Sequence, residues 1–131
     1  MKIGVYGGSF NPPHLGHVRA AQACKRALGL DRVLVIPASI PPHKQMASGS
    51  ATAMERLKLT QLAFSQLPGF EVLDMELRRE GKSYTVDTIR ALKAQYKQSD
   101  LYLMMGTDMF LSFQDWYRPE EIAKNARLVC F

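Results

Sequence analysis

The sequence contains only two cysteines in 131 residues, and it has no run of eighteen apolar residues. Cys24 and Cys130 are too few for a disulfide framework and form no Cys-x-x-Cys pair, so we expect both to be buried thiols. Without a long apolar run, the sequence predicts no transmembrane helix. Because the N-terminus leads into a predicted strand rather than a cleavable apolar leader, we expect a cytoplasmic protein.

The chain also lacks a dense block of basic residues. Seventeen lysines and arginines against twelve acidic residues give a net charge of +5, which favours anionic partners. These basic residues are spread through predicted helices without interleaved aromatic residues, so we predict small anionic molecules as partners rather than nucleic acid. Apolar residues make up 47% of the sequence, which is enough for the core of one domain, residues 1–131.

Strand-like and helix-like segments alternate along the chain. The predicted strands are 2–6, 33–36, 70–73, 101–105 and 127–131, and the predicted helices are 15–28, 54–67, 85–96, 109–113 and 120–125. This alternation predicts an α/β fold with a parallel sheet covered on both faces. In the second helix, a broad apolar stripe that includes Leu59 and Leu62 is expected to face the core.

A glycine-rich stretch, Gly7-Gly8-Ser9-Phe10-Asn11-Pro12-Pro13-His14-Leu15-Gly16-His17, joins the first strand to the first helix. A turn of this kind directs backbone N–H groups and the positive end of a helix at one point, where phosphate is the usual occupant. His14 and His17 are spaced to meet on the first helical turn and to act as imidazole donors. Two alternatives are a simple turn with helix-capping histidines and a zinc site that adds His43. The stretch matches neither a dinucleotide-binding Gly-x-Gly-x-x-Gly motif nor a Walker loop.

The same stretch resembles the motif of the nucleotidyltransferases that carry His-x-Gly-His, and it most closely resembles bacterial nicotinate-nucleotide adenylyltransferases. The resemblance implies a Rossmann-like, doubly wound parallel sheet. It also implies adenylyl transfer from ATP to nicotinate mononucleotide, which gives nicotinate adenine dinucleotide and pyrophosphate in NAD biosynthesis. Mg²⁺ is expected on the ATP phosphates rather than bound directly by the protein. No membrane partner is implied, and a homo-oligomer is compatible with the sequence.

Two later segments extend the resemblance. Lys44 ends a Pro-Pro-His-Lys segment whose lysine contacts phosphates in the family, although an ordinary solvated lysine is the alternative. Residues 83–88 match the family's Ser-Tyr-Thr-x-Asp-Thr, in which the Tyr-Thr pair, here Tyr84 and Thr85, helps to hold the pyridine nucleotide. Ser83 is also explained as a cap of the third helix.

Two more segments follow the fourth predicted strand. Gly106-Thr107-Asp108 stands where a parallel strand delivers a carboxylate to the ligand crevice, and in the family it lies near the mononucleotide and magnesium. The alternative role of Asp108 is the N-cap of the next helix. Trp116 and Tyr117 match an aromatic pair beside the nicotinate ring, which suits stacking, although a core-filling role is the alternative.

The resemblance assigns a role to each of these residues. Catalysis is expected from His14, His17 and Lys44. Binding of the ATP phosphates is expected from Gly7, Gly8, Ser9, Phe10, His14, His17, Gly106 and Asp108. Binding of nicotinate mononucleotide is expected from Ser9, Asn11, Lys44, Tyr84, Thr85, Thr107, Asp108, Trp116 and Tyr117.

Family members continue past the fifth strand to an Ile-Ser-Ser-Thr-x-x-Arg segment that contacts the ATP phosphates. The sequence ends before such a segment, so we expect a truncated form that lacks the C-terminal part of the family fold. Two alternative functions stay open. One is a sister adenylyltransferase that acts on another phosphorylated substrate or on the nicotinamide form. The other is a non-catalytic nucleotide-binding module, which would bind substrate without turnover.

Overall fold

A computed structural model describes residues 1–39, 51–80 and 83–131 of the chain. Its strands are β1 (Lys2–Gly8), β2 (Arg32–Pro37), β3 (Phe70–Val72), β4 (Asp100–Met105) and β5 (Arg127–Cys130). Its helices are α1 (Leu15–Leu28), α2 (Ala53–Phe64), α3 (Met75–Arg78), α4 (Thr85–Gln95), α5 (Thr107–Leu111) and α6 (Pro119–Asn125), with a 3₁₀ turn at Phe113–Asp115. All neighbouring strands are parallel, in the order β3-β2-β1-β4-β5. The predicted Rossmann-like α/β fold is confirmed.

Both faces of the sheet are covered, as the alternating pattern predicts. On one face, Val86, Ile89 and Leu92 of α4 and Ile122 of α6 pack in a single buried cluster with inward side chains of the sheet. On the other face, α1 and α2 supply a second cluster that includes Ala21, Cys24 and Phe64. The central strands are therefore almost fully buried, which explains their nearly continuous apolar sequences.

The strand order places a topological switch point beside β1. The chain runs outward from β1 through β2 to β3, then returns to the other side of β1 as β4. Tyr6 of β1 lies opposite Met104 of β4, and Gly8 lies opposite Pro37 of β2, so the carboxyl ends of these strands meet at one edge. In open α/β sheets, ligands bind in the crevice outside this edge.

Helix α1 begins and ends where the sequence predicts. His14 is its N-cap, and Gly29 follows its last turn in the left-handed region with φ of 63°. Glycine adopts this conformation without the penalty that a Cβ brings. The N–H of Leu30 then donates to the carbonyl of Lys25 at 3.0 Å, which closes the last turn and directs the chain into β2.

Helix α2 differs from its prediction. Leu59 and Leu62 are exposed by 39% and 72%, so the expectation that the whole apolar stripe faces the core is wrong. The face that packs on the sheet instead includes Arg56, Thr60 and Phe64, which are four residues apart and have no exposed surface. This spacing places one side chain above the next on the same side of the helix. A buried arginine thus takes a position that the apolar pattern did not identify.

The two cysteines, both expected to be buried, differ in exposure. Cys24 is buried on α1 as predicted, but Cys130 is exposed on β5, the outermost strand next to β4 in the described part of the sheet. The short helix α3 was not predicted, since four residues are too few for a periodic pattern to show. None of the helices in the described ranges is long and apolar enough to cross a membrane.

Candidate functional site

The glycine-rich loop leaves β1 at the carboxyl edge of the sheet and leads directly into α1. Phe10, inside this loop, has a positive φ of 47°, and only 2% of its surface is exposed. Its ring lies edge-on to the rings of Tyr6 and His17, with centroids 5.4 and 5.2 Å apart. The side chain therefore anchors the loop in the core. A contact between Phe10 and a phosphate would have to come from its backbone N–H.

His14 and His17 form a reciprocal capping arrangement at the start of α1. The Nδ1 of His14 accepts a hydrogen bond from the N–H of Gly16 at 3.1 Å, and the Nδ1 of His17 accepts one from the N–H of His14 at 2.9 Å. A nitrogen that accepts carries a lone pair, so in both neutral rings the proton is on Nε2. Both imidazoles thus have Nε2–H groups left to donate to a ligand. The capping role and the donor role are compatible.

The surroundings of His17 favour its neutral form. Partial burial lowers the pKa of His17, and the neighbouring His14 lowers it further. The two rings stack with their centroids 3.8 Å apart, an arrangement that two imidazolium ions would disfavour. Gly16 permits this packing, because a Cβ at that position would lie 2.8 Å from Cε1 of His14. The lowered pKa of His17 favours a neutral imidazole that donates through its N–H group.

A first cavity, which we call the histidine cavity, opens between the ends of β1 and β4. It is lined by Tyr6, Gly7, Gly8, Ser9, Phe10, His17, Gly106, Thr107, Asp108, Met109 and Phe131. This set contains seven of the eight residues that the resemblance assigns to the ATP phosphates. The eighth, His14, stacks on His17.

A second cavity, which we call the tryptophan cavity, lies on the other side of the glycine-rich loop. It is lined by Val5, Gly7, Gly8, Ser9, Ile36, Ala38, Ser39, Glu76, Thr85, Thr88, Leu103, Met104, Met105, Met109 and Trp116. Both cavities share Gly7, Gly8, Ser9 and Met109 as walls. Two ligands that occupied the two cavities would therefore meet at the glycine-rich loop.

The tryptophan cavity widens toward solvent between α4 and the 3₁₀ turn. Here Tyr84, Thr85, Trp116 and Tyr117, which the resemblance assigns to the mononucleotide, line the wall together. Trp116 packs partly against the core and also lines the cavity, so its core-filling role and its predicted stacking role are compatible. The ring centroids of Tyr117 and Tyr84 are 4.6 Å apart. The guanidinium carbon of Arg118 lies over the Tyr117 ring, 5.2 Å from its centroid.

The start of α4 is held by a polar network that the sequence did not reveal. Glu76 of α3 is 9% exposed and accepts a hydrogen bond from the hydroxyl of Thr88 at 2.7 Å. Burial raises the pKa of Glu76, against opposing effects of the Thr88 hydrogen bond and of Arg79. Arg79 also donates to Ser83 Oγ at 2.7 Å. The expected cap by Ser83 is therefore wrong, because Tyr84 is the N-cap residue and the Ser83 hydroxyl pairs with Arg79.

Arg56 is the second site-supporting residue that sequence reasoning missed. Its Nη1 donates to the carbonyls of Ser9 and Ala38, at 2.7 and 2.8 Å, and thus links the loops after β1 and β2. The detectable signal was the four-residue spacing to Thr60 and Phe64, which places Arg56 on the inward face of α2. However, arginine side chains are usually exposed, so a solvent-facing position was expected for Arg56.

The other residues predicted for the site are Lys44, Asn11 and Asp108, together with His43 of the zinc alternative. Lys44 lies outside the described residues, as does His43 of the zinc alternative. Asn11 Oδ1 accepts a hydrogen bond from the N–H of Ala51 at 3.3 Å. The alternative role of Asp108 as an N-cap is wrong, since α5 begins at Thr107, two residues before the predicted start, and Gly106 is its N-cap. Within residues 1–39, 51–80 and 83–131, no group of three potential metal-ligating His, Cys, Asp or Glu side chains is present.

Comparisons with known proteins agree with this geometry. The cytidylyltransferase-like family model matches residues 5–131. Relatives named nicotinate-nucleotide adenylyltransferase include those of Shewanella baltica, 43% identical over 129 residues, and Listeria monocytogenes, 41% identical over 128 residues. Each match covers 98% of this chain, but 59% of the Shewanella protein and 68% of the Listeria protein. The chain thus spans about three fifths to two thirds of their length.

Solved structures give the same fold. A structure named nicotinate-nucleotide adenylyltransferase from Vibrio parahaemolyticus has a TM-score of 0.79 and 25% identity, and the match covers 98% of this chain and 72% of that one. The nicotinic acid mononucleotide adenylyltransferase of Plasmodium falciparum has a TM-score of 0.82 at 16% identity, and the match covers 98% and 63%. The chain belongs to the cytidylyltransferase-like family and, within it, to the nicotinate-nucleotide adenylyltransferase family.

Proposed function

We propose that this chain transfers the adenylyl group of ATP to nicotinate mononucleotide and releases pyrophosphate. The observation that carries the proposal is the shared wall of the two cavities, Gly7, Gly8 and Ser9. With the ATP phosphates in the histidine cavity and the mononucleotide in the tryptophan cavity, the reacting phosphates meet at this loop. The names of the relatives from Shewanella and Listeria support the same reaction.

The reaction needs positioning and charge stabilisation rather than a covalent intermediate. A phosphate oxygen of the mononucleotide forms a bond to the α-phosphorus of ATP, and the bond from that phosphorus to the oxygen bridging to the β-phosphate breaks. Pyrophosphate leaves with the electron pair, and no proton transfer to the protein is required. Donors fixed in advance at the phosphates lower the barrier, because they do not reorganise during reaction.

The histidines supply such donors. In the neutral forms that their hydrogen bonds select, the Nε2–H groups of His14 and His17 donate to phosphate oxygens without adding full positive charge to the helix start. Lys44, which lies outside the described residues, is proposed to assist from the resemblance alone. Mg²⁺ bound to the ATP phosphates would neutralise further charge, with the Asp108 carboxylate lining the same cavity.

Trp116 and its neighbours are proposed to bind the pyridine ring. The indole is partly buried, and its Nε1–H donates to Ser112 Oγ at 3.4 Å, which restrains the ring at the cavity wall. An aromatic surface fixed in this way suits offset stacking on a flat heteroaromatic ring. Tyr84 and Thr85 are proposed to contact the ring or its substituent, because both line the same wall.

A pyrophosphate-release assay tests the proposal. The purified chain with Mg²⁺ and ATP is combined in turn with nicotinate mononucleotide, nicotinamide mononucleotide and pantetheine phosphate. We expect pyrophosphate release only with a mononucleotide and fastest with the nicotinate form. Fastest release with pantetheine phosphate would support the sister-enzyme alternative. Mononucleotide binding without any release would support a non-catalytic nucleotide-binding module.

A further inference from the structure

The guanidinium of Arg56 is buried at an energetic cost. The side chain has no exposed surface, and no described carboxylate lies within ion-pair distance of its guanidinium. In the described part of the chain its Nε and Nη2 have no hydrogen-bond partner. A buried charge with unpaired donors is destabilising, so an apolar side chain of similar size would suit a purely structural position better.

The bonds that Arg56 does make determine the orientation of two peptide groups. Its Nη1 donates to the carbonyl of Ser9 at 2.7 Å and to the carbonyl of Ala38 at 2.8 Å. In a planar trans peptide, the C=O and the N–H of the following residue point in opposite directions. The N–H groups of Phe10 and Ser39 must therefore point away from the buried guanidinium.

Both of these N–H groups belong to the crevice. Phe10 lines the histidine cavity, and Ser39 lines the tryptophan cavity. Neither N–H has a hydrogen-bond acceptor among the described residues. Unpaired backbone N–H groups at a cavity wall are ordinary donors to phosphate oxygens, and they call for an acceptor.

The conformation of Phe10 shows that the loop is held against its local preference. A positive φ is unfavourable for a residue with a Cβ, and it persists only where the surroundings fix it. The Phe10 side chain is held by packing against the rings of Tyr6, Phe64 and His17, whereas the preceding peptide has a polar contact of its own. The carbonyl of Ser9 in that peptide accepts a hydrogen bond from Arg56.

We propose that Arg56 is a positioning residue that orients the N–H groups of Phe10 and Ser39 as phosphate donors on the two sides of the crevice. Arg56 itself does not contact substrate. Because one Nη1 donates to both carbonyls, the same group orients the N–H groups of Phe10 and Ser39. The distance between these two N–H groups is therefore fixed before a ligand binds. The choice of ligand in the test rests on the proposed function.

The test compares three proteins by NMR and calorimetry, with pyrophosphate as the probe. Arg56→Met keeps most of the side-chain volume and removes both hydrogen bonds. Arg32→Met is the matched control, since Arg32 is half-exposed at the opposite end of β2 and, among the described residues, forms an ion pair only with Glu71 at 3.7 Å. In the wild type and in Arg32→Met, pyrophosphate should shift the amide resonances of Phe10 and Ser39. In Arg56→Met these shifts should be lost, and pyrophosphate affinity should fall by about 10- to 100-fold.

Arg56→Lys provides a second measurement if the methionine variant does not fold. A lysine keeps the charge, but its Nζ lies one bond closer to the main chain than the Arg56 Nη1 that reaches both carbonyls, so it falls short of holding both. We expect one of the two amide shifts to survive and the affinity to lie between those of the wild type and Arg56→Met. A lysine variant with both shifts and wild-type affinity would overturn the proposal, because both N–H groups would then respond without a nitrogen at the position of the Arg56 Nη1.

The outcomes separate this inference from the proposed function. A folded Arg56→Met variant with unchanged amide shifts and unchanged affinity would overturn the positioning role, whatever the activity of the wild type. If the wild type released no pyrophosphate from ATP but its Phe10 and Ser39 amides still responded to the probe through Arg56, the reaction would be refuted and the positioning role supported. A lowered melting temperature alone, without altered binding, counts against the proposal.

Discussion

Replacement of His17 by asparagine separates the two roles that the structure gives this residue. The Oδ1 of asparagine occupies nearly the position of the imidazole Nδ1, so it can still accept from the N–H of His14, a bond of 2.9 Å in the native helix start. It has no group at the position of Nε2. The substitution therefore preserves the cap and removes the donor that we assign to the phosphates.

The expected magnitudes differ enough to be told apart. Loss of one preorganised charge-stabilising donor lowers turnover by about 10²- to 10³-fold. Loss of a helix cap destabilises a protein by about 1 kcal/mol, which corresponds to roughly 3 to 6 °C in melting temperature for a chain of this length. His17→Asn should thus lose activity with little change in melting temperature. His17→Ala should lose both.

Pyrophosphate release measures the first quantity, and far-UV circular dichroism against temperature measures the second. Saturating ATP and nicotinate mononucleotide isolate turnover from binding. The account of His17 is refuted if His17→Asn keeps wild-type turnover, because the Nε2–H group would then have no role. Equal losses of stability in the asparagine and alanine variants would refute the capping geometry.

Three further predictions follow from the site. Trp116→Ala should weaken nicotinate mononucleotide binding by about tenfold, the scale of one stacking contact and its buried area, as measured by calorimetry; unchanged affinity would rule out stacking. Gly16→Ala should lower turnover by displacing the His14 ring, because the added Cβ would approach its Cε1 to 2.8 Å; a crystal structure with an unmoved ring would contradict this. Burial raises the pKa of Glu76, so its contribution to stability is present below the ordinary pKa of about 4.5 and lost as pH rises through the folded value. Glu76→Gln should remove this pH-dependent loss of stability. The melting temperature of the variant should therefore exceed that of the wild type by more at pH 8 than at pH 4. An equal difference at both pH values would contradict a raised pKa of Glu76.

The pKa of His17 gives stability the opposite pH dependence. Its pKa is lowered by burial and by His14, so its contribution is present above about pH 6.5 and is lost as pH falls through the folded value. Protonation of Nδ1 would also break the bond from the N–H of His14. We expect a fall in melting temperature between pH 7 and pH 5 that is smaller in His17→Asn. An identical fall in both proteins would show that other groups cause it.

The parts of the fold that follow from local chemistry were predictable. The alternating pattern predicts the parallel sheet because buried central strands and covering helices leave distinct apolar periods. The boundaries of α1 follow from its caps, with His14 at one end and Gly29 at the other. The glycine-rich loop follows from its position between a strand and a helix. These features need only neighbours in sequence.

The features that failed depend on tertiary partners. Leu59 and Leu62 fit a helical stripe, but they are exposed, and the buried face of α2 is the one that carries Arg56 and Phe64. Sequence alone could not show that the guanidinium has carbonyl partners on two separate loops. For the same reason, Ser83 gave no sign that it pairs with an arginine instead of capping a helix.

In the candidate site, too, some residues could be placed from the sequence and others could not. Residues on the glycine-rich loop and after β4 could be placed at the crevice because the carboxyl ends of parallel strands meet at one edge. Glu76 could not be placed there, since it lies on a four-residue helix without a periodic signal, and only its hydrogen bond to Thr88 gives it a role. Local motifs thus identify groups that contact ligand more readily than groups that position them.

Isotope tracing by ³¹P NMR tests the central claim most directly. Nicotinate mononucleotide labelled with ¹⁸O in its phosphate is incubated with ATP, Mg²⁺ and the chain. The account predicts one dinucleotide for each pyrophosphate released, with the label in the dinucleotide, including its bridging oxygen, and none in the pyrophosphate. Label in the released pyrophosphate, or pyrophosphate release without a dinucleotide, would contradict direct attack of the mononucleotide phosphate on the α-phosphorus of ATP.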